Sequence, residues 1–179
     1  ISRKHRTMSK GKSQFVGASG QFYVTHQLTK HFIHASITVG NAPSVDIIAA
    51  KEDGTKSISI QVKTSRDAYR RNRYGSEGCE WDVGAGVIGK SSPNLWYAFV
   101  DLKLGSGDEP DVYIVPSLWV ADFVKPEWSR KMYFLPSSAW DLTQNKWGLI
   151  SSCLDGCSDT EKFSCTWLED KLVRWGQNA

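Results

Sequence analysis

The stretch SVDIIAAKEDGTKSISIQVKTS, residues 44–65, constrains the fold more than any other part of the chain. Its second arm alternates strictly. Ile58, Ile60 and Val62 point one way and Ser57, Ser59, Gln61 and Lys63 the other, the period-two pattern of a strand with one face in a core. Asp53 and Gly54 stand at the centre of EDGT, a dipeptide that favours a two-residue type I′ turn. In such a turn Glu52 faces Thr55, and stepping outward along both arms brings Asp46 opposite Gln61, with Lys63 one pleat further on the same face. A bulge would shift that register by one residue.

A carboxylate beside an amide oxygen, with an ammonium adjacent, can hold a hard divalent cation and an anion next to it. Mg²⁺ takes a few oxygen ligands, keeps several waters and often completes its shell with phosphate oxygens. A solvent-facing strand carrying an ordinary Asp–Lys pair has the same pattern, so the hairpin alone leaves both readings open.

The flanking chain supplies a core for this hairpin. Hydrophobic residues make up 40% of the 179 residues, enough for one domain, and no run approaches the roughly 20 apolar residues of a membrane-spanning helix. SQFVGASGQFYVTHQLTKHF reads as a loop entering a helix, with Ser19 as its cap and Gln21, Thr25, Leu28 and Phe32 on one face. HASITV is a short strand. RDAYRRNRYGSEG reads as a basic loop, and NLWYAFVDLKL and DVYIVPS as two further strands. SLWVADFVK is a short helix capped by Ser117, with Val120, Phe123 and Val124 as its apolar stripe. SDTEKFSCTWLEDKLVRW is a last amphipathic helix, with Leu168, Leu172 and Trp175 on one side. The order predicts an α/β or α+β fold, a central mixed β-sheet flanked by helices.

Charge does not by itself select a partner. The 22 Lys and Arg against 19 Asp and Glu give +3, but Arg3, Lys4, Arg6, Lys10 and Lys12 lie in residues 1–12, which hold no acid. Without them 17 bases face 19 acids, a balance of −2. Residues 1–13 are therefore set apart as a basic tail or a processing remnant, with Met8 as a natural start. Residues 14–150 form the main domain and 151–179 a helical extension packed on it. Cys79, Cys153, Cys157 and Cys165 read as reduced thiols of a cytoplasmic protein. The last three have neither a CxxC pair nor a nearby His to suggest zinc.

GNAPSVDIIA followed by ISIQVKTS resembles the PD-(D/E)XK nuclease superfamily, restriction-endonuclease-like in fold, in the branch with Q-x-K in place of (D/E)-x-K. Pro43 and Asp46 would be the PD element and Gln61-Val62-Lys63 the QxK. GASGQFYVTHQL resembles the first core helix, usually G-x-x-G-E, and YAFVDLK with DVYIVPS resembles the continuation in small bacterial members. The similarity spans roughly residues 14–125. It implies a nuclease cleaving phosphodiester bonds in DNA, RNA not excluded, with Mg²⁺ or Mn²⁺ as cofactor. By that resemblance Asp46 is the principal metal ligand, Gln61 a second ligand or the orienter of a water, the Val62 carbonyl a third, and Lys63 the group that positions the attacking water. A homodimer is compatible with it. The helix acid of the family falls at Gln21, so geometry is kept and a negative charge lost. That departure leaves open a weakened or inactive nuclease fold that binds nucleic acid without cutting.

Arg66, Arg70, Arg71 and Arg73, interleaved with Tyr69 and Tyr74, follow the QxK strand directly. They suit a loop that grips a phosphate backbone, with the tyrosines stacking on bases. His26, His31 and His34 do not share one helix face and read as surface residues. Trp81 and Trp96 read as sheet residues.

Overall fold

The computed structural model describes residues 10–39 and 45–156. Helix α1 (Lys10–Lys30) leads into strands β1 (His34–Ile37), β2 (Ile47–Ala50) and β3 (Ser57–Ser65), then β4 (Tyr69–Arg73) and β5 (Ser76–Asp82). Strands β6 (Leu95–Asp101) and β7 (Asp111–Pro116) follow, then helix α2 (Ser117–Phe123), strand β8 (Met132–Pro136) and helices α3 (Trp140–Thr143) and α4 (Gly148–Asp155). Pro43 and the expected C-terminal helix lie outside the described residues, as do Cys157 and Cys165.

The main sheet has the order β1-β2-β3-β6-β7 and is mixed, since only β3 and β6 run parallel. The expected mixed sheet flanked by helices is the architecture observed. One face carries Ile58, Ile60 and Val62 of β3 with Trp96, Ala98 and Val100 of β6. Onto it pack Val24 and Leu28 of α1 and Ile150, Cys153 and Leu154 of α4. Strand β6 is covered on both sides, which explains its unbroken apolar run. Its other face, with Tyr97 and Phe99, packs against Trp119 and Val120 of α2 and against a second sheet, order β4-β5-β8. Trp81 and Trp96 are buried strand residues, as expected.

The hairpin register is the one the stepping rule gives: Ile47 faces Ile60 and Ala50 faces Ser57. The turn is not. The Lys51 N–H donates to the Lys56 carbonyl and the Gly54 N–H to the Lys51 carbonyl, both at 2.9 Å, so the loop has four residues and only Gly54 of the dipeptide has positive φ. Asp53 Oδ1 accepts from the Thr55 N–H (2.9 Å) and hydroxyl (2.6 Å), which stabilises the longer loop. One residue was added to each arm, so the register survived. The two-residue turn with both φ positive occurs instead at Tyr74 (φ 51) and Gly75 (φ 78), between paired Arg73 and Ser76. The expected basic loop is therefore a β-hairpin.

Two caps also differ. Helix α1 begins at Lys10, inside the segment set apart as a tail, so Ser19 is interior and its hydroxyl donates back to the Phe15 carbonyl at 2.8 Å. The buried line of α1 is Gly20, Val24 and Leu28, whereas Phe32 lies past the helix end and is 95% exposed. Ser117 is fully buried and bridges to Ser92, accepting from its N–H and donating to its carbonyl, both at 3.0 Å, rather than capping α2.

Candidate active site

Beyond Asp46 strand β2 no longer shields β3. Alternate residues of a strand direct their main-chain groups to opposite neighbours. Ser59 donates toward the β6 side, to the Asn94 carbonyl, while Ile60 accepts from the Asp46 N–H at 3.0 Å. Val62 therefore presents both its N–H and its carbonyl to the Asp46 side. The N–H is taken by Asp46 Oδ2 at 2.7 Å. Asp46 Oδ1 accepts from Nε2 of Gln21 at 2.9 Å. The Asp46 main chain is fixed as well, its carbonyl accepting from the Thr38 N–H at 2.9 Å.

Gln21 reaches this point because α1 crosses β3 at very close range. A Cβ on Gly20 would stand 1.9 Å from Oγ1 of Thr64, so only glycine permits the crossing. Oγ1 of Thr64 is buried without a hydrogen-bond partner. The helix is thus laid on the strand next to the residue that touches Asp46.

Gln61 and Lys63 lie half-buried on the β3 face that turns toward the second sheet, opposite Tyr97 and Phe99 of β6. Burial holds the Lys63 ammonium below the usual lysine range, opposed by the charges of Asp46 and Asp82 and reinforced by Lys90. The Tyr97 phenol is pushed up to about 12 by burial and by Asp46. The charge of Asp46 thus acts on both Lys63 and Tyr97, and those of Asp82, at the end of β5, and of Lys90 act on Lys63. Sequence reasoning did not find Asp82, Lys90 or Tyr97. Asp82 arrives on β5 of a second sheet that had not been expected, and Lys90 on the loop between β5 and β6.

The arginines divide. Glu80, 7% exposed, receives Nε of Arg73 at 2.9 Å and Nε of Arg70 at 3.6 Å on the outer face of the second sheet. Those two are therefore tied into the protein rather than held on a loose loop. Tyr74 packs edge-on against Phe123 and Phe134 with centroids at 6.3 and 5.4 Å, and Tyr69 donates its hydroxyl to Glu77 at 2.8 Å. Arg71 is exposed, and Arg66 follows the end of β3. The three histidines are exposed, His31 stacking on Trp147 at 6.1 Å.

Among the described residues no three His, Cys, Asp or Glu side chains gather to hold a metal ion. The groups that meet at Asp46 are its carboxylate, the Val62 N–H and the amide of Gln21, with the Val62 carbonyl directed to the same side of β3 and Gln61 on the adjacent strand face. The Asp46 carboxylate, the Val62 carbonyl and an amide oxygen are the low-charge oxygen ligands that suit a hard cation, whereas Gln21 turns its N–H toward Asp46.

No protein-family model matches the chain, and no curated protein sequence does. A solved structure, that of the bacterial homing endonuclease I-Ssp6803I, aligns with a TM-score of 0.52 at 12% identity, covering 88% of this chain and 100% of its own. The likeness is one of fold. No helix among the described residues is long and apolar enough to cross a membrane.

Proposed function

We propose that this chain is a metal-dependent endonuclease of the PD-(D/E)XK superfamily, Q-x-K branch, that hydrolyses phosphodiester bonds in DNA. The observation that carries this reading is the convergence of Gln21 and Val62 on the carboxylate of Asp46, at 2.9 and 2.7 Å, from a helix and a strand. The fold shared with a homing endonuclease supports it.

Asp46, the Val62 carbonyl and the amide oxygen of Gln61 would hold Mg²⁺ or Mn²⁺. When bound, the cation supplies Lewis-acid stabilisation of phosphoryl charge. Lys63 orients the attacking water and neutralises charge gathering on the phosphate, a task for which its half-buried, low-dielectric position is effective. Gln21 fixes the rotamer of Asp46. Arg66 attracts the phosphate backbone.

A second reading is favoured by one contact. Gln21 donates a hydrogen to the oxygen of Asp46 that a cation would use, so the surface would bind DNA without cutting it. Cleavage of matched DNA and RNA duplexes and single strands in Mg²⁺ and Mn²⁺ separates the two. If the unaltered protein cuts DNA, and Asp46→Ala and Lys63→Ala do not, the nuclease reading holds. If only Gln21→Glu cuts, or all bind without cutting, the binding module is the better account. If none binds nucleic acid, both readings fail.

A further inference from the structure

The hairpin of β4 and β5 is hung on the strand that carries Gln61 and Lys63. Only Arg66, Asp67 and Ala68 separate the end of β3 from the start of β4. The third strand, β8, pairs with β5 only from Gly78 to Asp82, and every residue from Arg71 to Glu77 is exposed. A two-stranded ribbon of this kind has the width that the major groove of B-DNA admits.

The ribbon is also held rigidly. Glu80 binds Arg70 and Arg73, Arg73 lies over the Tyr74 ring at 4.9 Å, and Tyr74 packs on Phe123 and Phe134. Gly78 permits this closeness, since a Cβ there would meet the Leu135 carbonyl at 2.4 Å and the Phe134 ring at 2.5 Å. The side chains of Tyr69, Arg70, Arg73, Glu77 and Glu80 are engaged within the protein. The register breaks between Arg70 and Arg73, and Arg71 and Asn72 fall inside the break, both exposed. Bulges re-aim side chains in this way. Arginine, with two parallel donors, matches the O6 and N7 of guanine, and asparagine, with one donor and one acceptor, matches the N7 and N6 of adenine in the major groove.

We propose that the β4–β5 hairpin enters the major groove of duplex DNA and that Arg71 and Asn72 read base edges there. Arg70 and Arg73, with Glu80 as the positioning residue, form the rigid base on which they stand. The inference rests on the DNA-cleavage reading and adds to it a duplex substrate with sequence preference.

The test is selection from a random-sequence duplex pool by the full chain in EDTA, followed by sequencing of the bound fraction. The unaltered protein should enrich a short sequence. Arg71→Ala and Asn72→Ala should each lose preference at their own base pair by about tenfold, with little change in salt dependence. The same sequence enriched by both variants would overturn the proposal. So would a uniform loss of affinity with a shallower salt dependence, which would mark phosphate contacts. Binding in EDTA without any enriched sequence, beside cutting of the same duplex pool in Mg²⁺, would overturn base reading and leave the nuclease standing. Failure of the unaltered protein to bind any duplex would remove the nuclease reading as well.

Discussion

Nε2 of Gln21 donates to Oδ1 of Asp46 over 2.9 Å, joining the middle of a helix to a strand end 25 positions away. A neutral amide there keeps Asp46 as a single carboxylate with two neutral donors, a site that attracts cations weakly. Gln21→Glu places a second carboxylate against the first. Like charges this close destabilise the protein without a cation and bind one more tightly when it is present. The Tm of Gln21→Glu is therefore expected below that of the unaltered protein in EDTA, with the larger rise on adding Mg²⁺. Equal Mg²⁺ responses would contradict the assignment of this pair to a metal site.

The helix crossing at Gly20 gives a steric prediction. Gly20→Ala drives a methyl into Thr64 and is expected to cost about 1–3 kcal/mol, read from the urea midpoint. Gly17, three residues earlier in the same helix, has nothing within 4 Å of its would-be Cβ. Gly17→Ala should stabilise by up to about 1 kcal/mol through helix propensity. Adding Thr64→Ala to Gly20→Ala should restore part of the loss.

Asp101 should shape the pH dependence of stability. It is 4% exposed, and burial raises its carboxyl above the ordinary 3.8 despite main-chain hydrogen bonds from Lys103 and Ala68. The folded state holds this proton more tightly than the unfolded one. The stability contributed is fully present below 3.8 and lost as pH rises through the folded value. Asp101→Asn removes the titration, so its stability relative to the unaltered protein should rise with pH above that point in urea titrations.

Removing Glu80 leaves Arg70 and Arg73 without their shared partner. Both arginines are more than a third exposed and can rehydrate, so the expected cost of Glu80→Ala is about 1–2 kcal/mol. Glu80→Gln, which keeps an acceptor, should cost less. The same variants should weaken sequence preference in DNA selection more than total affinity, because the arginines lose their fixed positions.

Much of this was legible in residues 44–65 because alternation and hydrogen-bond pairing are both of period two. The turn was misjudged, yet a loop longer by one residue on each arm keeps Ile47 opposite Ile60. The second sheet was not legible. Strand β4 reads YRRNR, with nothing apolar after Tyr69, and its turn is formed by Tyr74 with φ 51, a conformation no tyrosine advertises. The extra turns of α1 before Ser19 were hidden by the polar KGKS run. The partners of Arg70 and Arg73 depended on Glu80 facing outward from β5, which follows from a strand that had not been assigned. Asp82, at the end of that strand, escaped notice for the same reason.

The most direct test of the central claim is conversion of supercoiled plasmid to nicked and linear forms in Mg²⁺. The account predicts cutting by the unaltered protein that EDTA abolishes. Asp46→Ala and Lys63→Ala should each reduce it by about 100-fold or more. Cutting that persists undiminished in both variants would place the chemistry elsewhere and contradict the site built on Asp46.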